Sequence, residues 1–152
     1  MRILLVAVGR SRNGPERDLY RHYAARLKWP MTLKEVEVKE RLPPESLKAR
    51  EGELLLAALP EDAAAVALAE SGALLDSASL ARRLGQWRDR GTGTVAFLIG
   101  GADGLDETVA RRADLVLSLG RVTWPHLLVR GLLAEQLYRA QQILAGHPYH
   151  RG

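Results

Sequence analysis

Val95-Ala96-Phe97-Leu98-Ile99, followed by Gly100-Gly101-Ala102-Asp103-Gly104, is the stretch whose reading decides the fold. Five apolar residues in a row, closed by glycines, predict a short strand buried on both faces, as in a parallel sheet. A short helix follows. Asp106-Glu107 at its start and Arg111-Arg112 at its end complement the helix dipole. Strand, glycine turn and helix make a unit, and the same alternation extends in both directions from it.

Upstream, Ile3–Val8 is a second unbroken apolar run, ending at Gly9, and Ala63–Ala69 is a third, although alanine itself favours helix. Leu33, Val36 and Val38 mark a more polar strand, nearer an edge, and Leu115–Leu119 supplies a fifth. Between them, Leu19, Tyr20, Tyr23, Ala24 and Leu27 recur at helical spacing until Pro30. Pro43-Pro44 introduces a helix carrying Leu47, Leu54, Leu55 and Ala58, with Gly52 an unfavourable residue in its middle. Ser71-Gly72 reads as a turn, and Ser77 opens a helix with Leu80, Leu84 and Trp87 on one side. Pro125 fits the first position of a last helix running to about Ala145. The expectation is one α/β domain over residues 1–152, with a largely parallel sheet of about five strands flanked by helices.

The last helix is unusually apolar. Val129, Leu133, Leu137, Ala140 and Leu144 form a stripe that Leu127, Leu128, Leu132 and Ile143 widen, leaving Glu135, Arg139 and Gln142 as a narrow polar strip. Such a helix is buried on two sides. One side is the sheet; the other is either a second subunit or more of the same chain.

Composition excludes several classes. The chain has no cysteine, so a disulfide scaffold, a thiolate zinc site and a catalytic thiol are ruled out. No apolar run approaches the roughly 20 residues of a membrane-spanning helix. Met1–Gly9 is too short, and too closely followed by Arg10 and Arg12, to read as a secretory signal. A cytoplasmic protein is expected. The formal net charge of +4 hides a pattern. Residues 1–50 carry 12 basic and 6 acidic side chains, residues 51–76 carry 6 acidic and no basic ones, and residues 77–152 carry 10 against 6. Two basic segments around an acidic middle suit an anionic partner, or ordinary surface charge.

Chemistry concentrates late in the chain. Glycines leaving a strand let backbone N–H groups approach a ligand, and ligands of open α/β sheets collect at the carboxyl ends of strands. The loop 100–104 lacks the G-x-G-x-x-G spacing of dinucleotide sites, and a plain turn would also account for it. The loop Leu119–His126 carries Gly120, Arg121, Thr123 and Trp124, and frames the same pocket if its strand neighbours the other; alternatively Thr123 merely caps the helix. Three of the four histidines, His126, His147 and His150, fall in the last 27 residues, without a spacing typical of metal ligands. The terminal Tyr149-His150-Arg151, behind Pro148, combines groups that stack on a base and grip phosphate.

Together, Leu98-Ile99-Gly100-Gly101-x-x-Gly104, Thr123-x-Pro125-His126-x-x-x-Arg130, Glu135-Gln136-x-Tyr138-Arg139-Ala140 and Pro148-Tyr149-His150-Arg151 resemble the ribosomal RNA large subunit methyltransferase H family of the SPOUT superfamily. The likeness covers essentially the whole chain. It implies an α/β fold with a C-terminal trefoil knot, a homodimer, and S-adenosylmethionine as methyl donor. The implied acceptor is N3 of a pseudouridine in the helix 69 loop of 23S rRNA, modified on the assembled ribosome. By resemblance, Leu68, Gly100, Gly101, Leu119, Gly120, Arg121, Val122, Thr123 and Trp124 form the cofactor pocket. His150, with Tyr149 and Arg151, approaches the target base as the catalytic group, and His126, Arg130 and Glu135 match positions assigned to the substrate. No metal and no membrane are implied. The chain departs from the pattern at Ala69, where many relatives carry Asp, and at Trp124, where smaller apolar residues are common.

Residue chemistry is consistent with this. An imide N–H must lose its proton before methylation, and histidine is the side chain poised near neutrality. Pyrimidine C5 methylation normally uses a thiolate adduct, which a chain without cysteine cannot form. A non-catalytic RNA-binding or ribosome-assembly protein accounts for the basic segments but leaves the glycine loop unexplained. A nicotinamide nucleotide enzyme would place its glycine loop after the first strand, not the fourth.

Overall fold

The computed structural model describes residues 1–151, and of His150 and Arg151 the backbone alone. Its elements are β1 (Arg2–Val8), α1 (Pro15–Ala24), β2 (Met31–Val36), α2 (Pro44–Ala57), β3 (Ala64–Leu74), α3 (Ser77–Asp89), β4 (Thr94–Ile99), α4 (Glu107–Arg112), β5 (Leu115–Ser118) and α5 (His126–Leu144), with a closing 3-10 turn over Pro148–Arg151. The sheet runs β2-β1-β4-β3-β5, and every pairing is parallel. Parallel neighbours require crossovers, so helices cover both faces.

Side chains alternate across the strands and divide the core in two. Ile3, Leu5, Ala7, Val66 and Phe97 meet Tyr20 of α1, Leu80, Leu84 and Trp87 of α3, and Leu133, Leu137 and Ala140 of α5. Val6, Val8, Ala67 and Leu98 turn the other way, onto Leu55 of α2 and Val109 of α4. The apolar runs at Ile3–Val8 and Val95–Ile99 have no polar face because both faces are covered. α5 lies against both α1 and α3, so the same chain covers much of its wide apolar surface, and Leu127, Leu128 and Leu132 stay half-buried.

Three boundaries differ from the sequence reading. Ser71-Gly72 is not a turn but part of β3. A Cβ on Gly72 would stand 2.7 Å from the Val116 carbonyl oxygen, so this glycine allows β3 to cross the β5 backbone closely. The pairing steps from Leu68↔Leu117 to Ala73↔Leu117, which displaces the residues between as a bulge. β2 stops at Val36, leaving Val38 outside. α5 begins at His126, one residue after the expected start, a shift within ordinary end variation. Gly52 has a packing reason: a Cβ there would lie 3.0 Å from Asp106 Cβ, so α2 and the start of α4 approach closely.

Candidate functional site

A cavity of about 930 Å³ opens at the carboxyl ends of β3, β4 and β5. It brings together Leu68, Gly100, Gly101, Leu119, Gly120, Val122, Thr123, Trp124 and His126 from the sequence-predicted set. β4 and β5 are not neighbours, because β3 lies between them. The two glycine-bearing loops therefore face each other across the bulge of β3, whose Ala69, Glu70 and Ser71 make the middle wall. Sequence reasoning reached this wall only at Leu68 and Ala69, by resemblance, and missed Glu70 and Ser71, since Ser71-Gly72 imitates a turn. It also missed Leu105 and Val129, which line the same space.

Each wall is held by local bonds. Gly104 N–H donates to the Gly101 carbonyl at 3.0 Å and closes the first loop. A Cβ on Gly100 would come within 2.6 Å of the Gly104 carbonyl oxygen, so no other residue fits that turn unchanged. In the second loop, Ser118 Oγ accepts from Gly120 N–H at 3.1 Å and donates to the Gly120 carbonyl at 3.0 Å. Trp124 Nε1 donates to the Leu119 carbonyl at 3.3 Å. Arg121 does not line the cavity; its guanidinium donates to the Glu70 carbonyl at 2.8 Å and ties this loop to the bulge. α5 starts without a side-chain cap, so Thr123 is not a cap and its place is the cavity wall.

His126 and Arg130 leave the first turn of α5 differently. His126 is half-buried, and a Cβ on Gly9 would sit 3.2 Å from its Nε2. Burial, reinforced by the Arg130 charge, lowers its pKa, so the ring is neutral at neutral pH. Arg130 is only 2% exposed. Its guanidinium donates to Glu35 at 2.5 Å and to the carbonyls of Val8 and Gly9 at 3.3 and 3.0 Å. Glu35 also accepts from Ser11 N–H at 2.7 Å. Burial opposes charge on Glu35, but the bonds from Arg130 and Ser11 outweigh it and hold the carboxyl below its usual range. Arg130 thus faces inward and braces the loop leaving β1. Arg130→Met should cost about 2–3 kcal/mol in urea unfolding at neutral pH, less than the roughly 3–5 kcal/mol of a fully buried broken pair, because Glu35 retains 29% of its side-chain exposure and can rehydrate.

Glu135 lies elsewhere, in an apolar groove of about 720 Å³ with Leu19, Tyr23 and Leu80. Leu119, Gly120 and Trp124 border both the groove and the cavity, so that loop divides them. Glu135 accepts from Arg139 at 2.7 and 3.0 Å and from the Tyr149 hydroxyl at 3.3 Å. Tyr149 also meets the Tyr138 ring edge-on, centroids 4.7 Å apart, beneath the Arg139 guanidinium at 5.0 Å. Burial, with Tyr23 and Glu135 alongside, pushes its phenol up to about 12, so it keeps its proton at neutral pH. The tail is thereby fastened to α5. The side chains of His150 and Arg151 lie outside the described residues. Among the described residues no group of three or more His, Asp or Glu side chains is placed to hold a metal, and no helix is long and apolar enough to cross a membrane.

Known proteins resemble this chain in sequence and in fold. Residues 1–150 match the family described as "Predicted SPOUT methyltransferase". A ribosomal RNA large subunit methyltransferase H from Rhodospirillum centenum is 63% identical over 151 residues, covering 99% of each chain. Its counterpart from Paramagnetospirillum magneticum is 61% identical over the same length and coverage. Among solved structures, a probable methyltransferase from Bordetella pertussis Tohama I superposes with a TM-score of 0.58 at 18% identity, over 91% of this chain and 95% of that one, a likeness of fold. With near-complete coverage at such identity, the chain belongs to the ribosomal RNA large subunit methyltransferase H family of SPOUT methyltransferases, whose knotted α/β architecture membership implies.

Proposed function

We propose that this chain, a single domain acting as a cytoplasmic homodimer, methylates N3 of a pseudouridine in the helix 69 loop of 23S rRNA on the assembled ribosome, with S-adenosylmethionine as donor. The observation that carries the reading is the three-walled cavity at the carboxyl ends of β3, β4 and β5. Its volume lies in the usual small-molecule range of roughly 300–1,000 Å³. Its lining also fits the donor. Leu68, Ile99, Val116 and Leu119 offer apolar surface to an adenine, while the backbones of Gly100, Gly101 and the loop 119–124 offer hydrogen bonds to polar groups. A Cβ on Gly100 or Gly101 would meet protein within 2.8 Å, so both positions suit a closely wrapped loop.

Bound S-adenosylmethionine supplies a methyl group already activated on a sulfonium. The protein's share is then to align the acceptor and take its proton. In this reading His150 takes the imide proton, with Tyr149 and Arg151 holding the base. Tyr149 is fixed by Glu135 and Arg139, and its high pKa makes it a hydrogen-bond donor and not the base. The loop 119–124 separates this tail from the cavity within one chain, which supports completion of each site by the second copy.

The test is mass spectrometry of ribosomes lacking the modification after incubation with protein and S-adenosylmethionine. Methylated pseudouridine in the helix 69 loop is expected. Its absence, with the cofactor shown bound by calorimetry, would reject the substrate; binding of NAD alone or RNA alone would reject the methyltransferase.

The basic N-terminal segment carries its own prediction. Arg10 and Arg12 are exposed on the loop after β1, just past Gly9, whose backbone lies beside His126 of the cavity; Arg10 pairs with Glu37 at 3.1 Å, and Arg17 and Arg21 follow on α1. If they meet rRNA phosphates, neutralising Arg10 and Arg12 should reduce the slope of log affinity against log salt by about one unit per lost contact. Cofactor affinity should not change. A slope equal to the wild type would show that these arginines make no phosphate contact.

A further inference from the structure

Glu51 is unusual among the carboxylates of this chain. It lies within α2, is only 8% exposed, and its Oε1 has no hydrogen-bond partner. It projects toward Gly101 of the cavity wall. A Cβ built on Gly101 would lie 2.8 Å from Glu51 Oε2, 3.2 Å from Oε1 and 3.2 Å from Val8 Cγ1. The carboxyl therefore fills the volume that a side chain of residue 101 would take, directly behind the loop. Gly52, the next residue, lets α2 reach this close, since a Cβ there would lie 3.0 Å from Asp106 Cβ and 3.3 Å from Val109 Cγ2.

We infer that Glu51, as the neutral acid, is a positioning residue for the proposed cofactor cavity, supporting the Gly100-Gly101 backbone from behind. The inference deepens the methyltransferase reading and rests on it only where cofactor affinity is measured. Its physical basis is the cost of a buried charge without a partner. The charged groups around Glu51 offer no compensating cation. From the loop, Asp103 contributes a like charge; at the start of α4, Asp106 packs against the neighbouring Gly52; β1 presents the apolar Val8. On α2 itself, Lys48 is directed to Glu45 and Asp106, and Arg50 is paired with Glu53. Burial first, and Asp103 second, raise the Glu51 pKa. A carboxyl whose folded pKa lies above its unfolded one favours the folded state least at high pH. Its penalty is absent below the ordinary carboxylate range and grows as pH rises through the folded value. Ionisation would set two negative charges against each other behind a loop that must wrap a ligand, and so loosen the wall.

The first test needs no ligand. In ¹⁵N-labelled protein, the Gly100 and Gly101 amide resonances should follow one titration curve, displaced above the ordinary Glu value of about 4.3. Glu51→Gln should remove that curve, and Asp103→Asn should move it to lower pH. Resonances that do not titrate, or that titrate unchanged in Glu51→Gln, would overturn the assignment. Calorimetry with S-adenosylmethionine gives the second test. Glu51→Ala should weaken affinity about tenfold, and Glu51→Gln, which keeps a neutral polar group of the same shape, should recover most of it. Wild-type affinity should also fall as pH rises through the raised Glu51 pKa, with Glu51→Gln insensitive over that range. Equal losses in the Ala and Gln variants would overturn the neutral-acid role. If the wild type itself binds no S-adenosylmethionine, the methyltransferase reading fails while the amide titration still decides the role of Glu51.

Discussion

Gly100→Ala should abolish cofactor binding, a loss of at least about 100-fold in affinity, although it adds a single methyl group. The added carbon would stand 2.6 Å from the Gly104 carbonyl oxygen and 2.8 Å from its carbon. Both are backbone atoms of a turn closed by the Gly101–Gly104 hydrogen bond, so neither can rotate away. The loop must open, and it is one of three walls of the cavity. Opening also disturbs Asp106, two residues past Gly104, which caps α4 by accepting from Thr108 N–H at 3.1 Å. A fall in stability of about 1–3 kcal/mol should accompany the loss, typical of overpacking. Gly104→Ala is the control. Gly104 has φ +83°, so alanine there is strained by about 1–2 kcal/mol, but nothing lies within 4 Å of its Cβ. That variant should lose comparable stability and far less affinity. Similar affinities for the two variants would show that the close approach at Gly100 is not what the ligand depends on.

The contrast between these glycines marks how far the sequence could be read. Val95–Ile99 and Ile3–Val8 were legible as buried strands because burial on both faces leaves no polar residue in the run, and that pattern is local. The glycine loop was legible too, since the exit of a strand followed by a helix is a short-range feature. The order β2-β1-β4-β3-β5 was not, because which strand lies between which is decided by pairing across the whole chain. The same holds for the bulge of β3: Gly72 is demanded by the β5 backbone, more than 40 residues away, and only the strand pairing discloses it. Arg130 illustrates the limit for single residues. Its motif position suggests a ligand-facing cation, yet its guanidinium is used by Val8, Gly9 and Glu35, on β1, its exit loop and β2. Glu51 was invisible because nothing around it in sequence says that it is buried.

Removing the tail from residue 147 onward, or substituting His150→Ala, should slow methyl transfer by about 10²–10⁴-fold and leave S-adenosylmethionine affinity within about twofold. Among Tyr149, His150 and Arg151, a guanidinium is always charged and the Tyr149 phenol is held up to about 12, so neither accepts a proton near neutrality. An imidazole, with an ordinary pKa near 6.5, is the remaining base. The rate–pH profile of the wild type should therefore show an acidic limb that His150→Ala lacks. Tyr149→Phe keeps the ring against Tyr138 and Arg139 but loses the bond to Glu135, and should cost only a few-fold by loosening the tail. Undiminished turnover in His150→Ala would end its assignment as base. The two strong variants also test whether a second copy completes each site. Protomers carrying Gly100→Ala and protomers carrying His150→Ala, each inactive alone, should recover activity when co-expressed. In a mixed dimer with shared sites, one site inherits both defects and the other inherits neither. With random pairing half the dimers are mixed, so about a quarter of wild-type activity should return. Sites built within single protomers would return none.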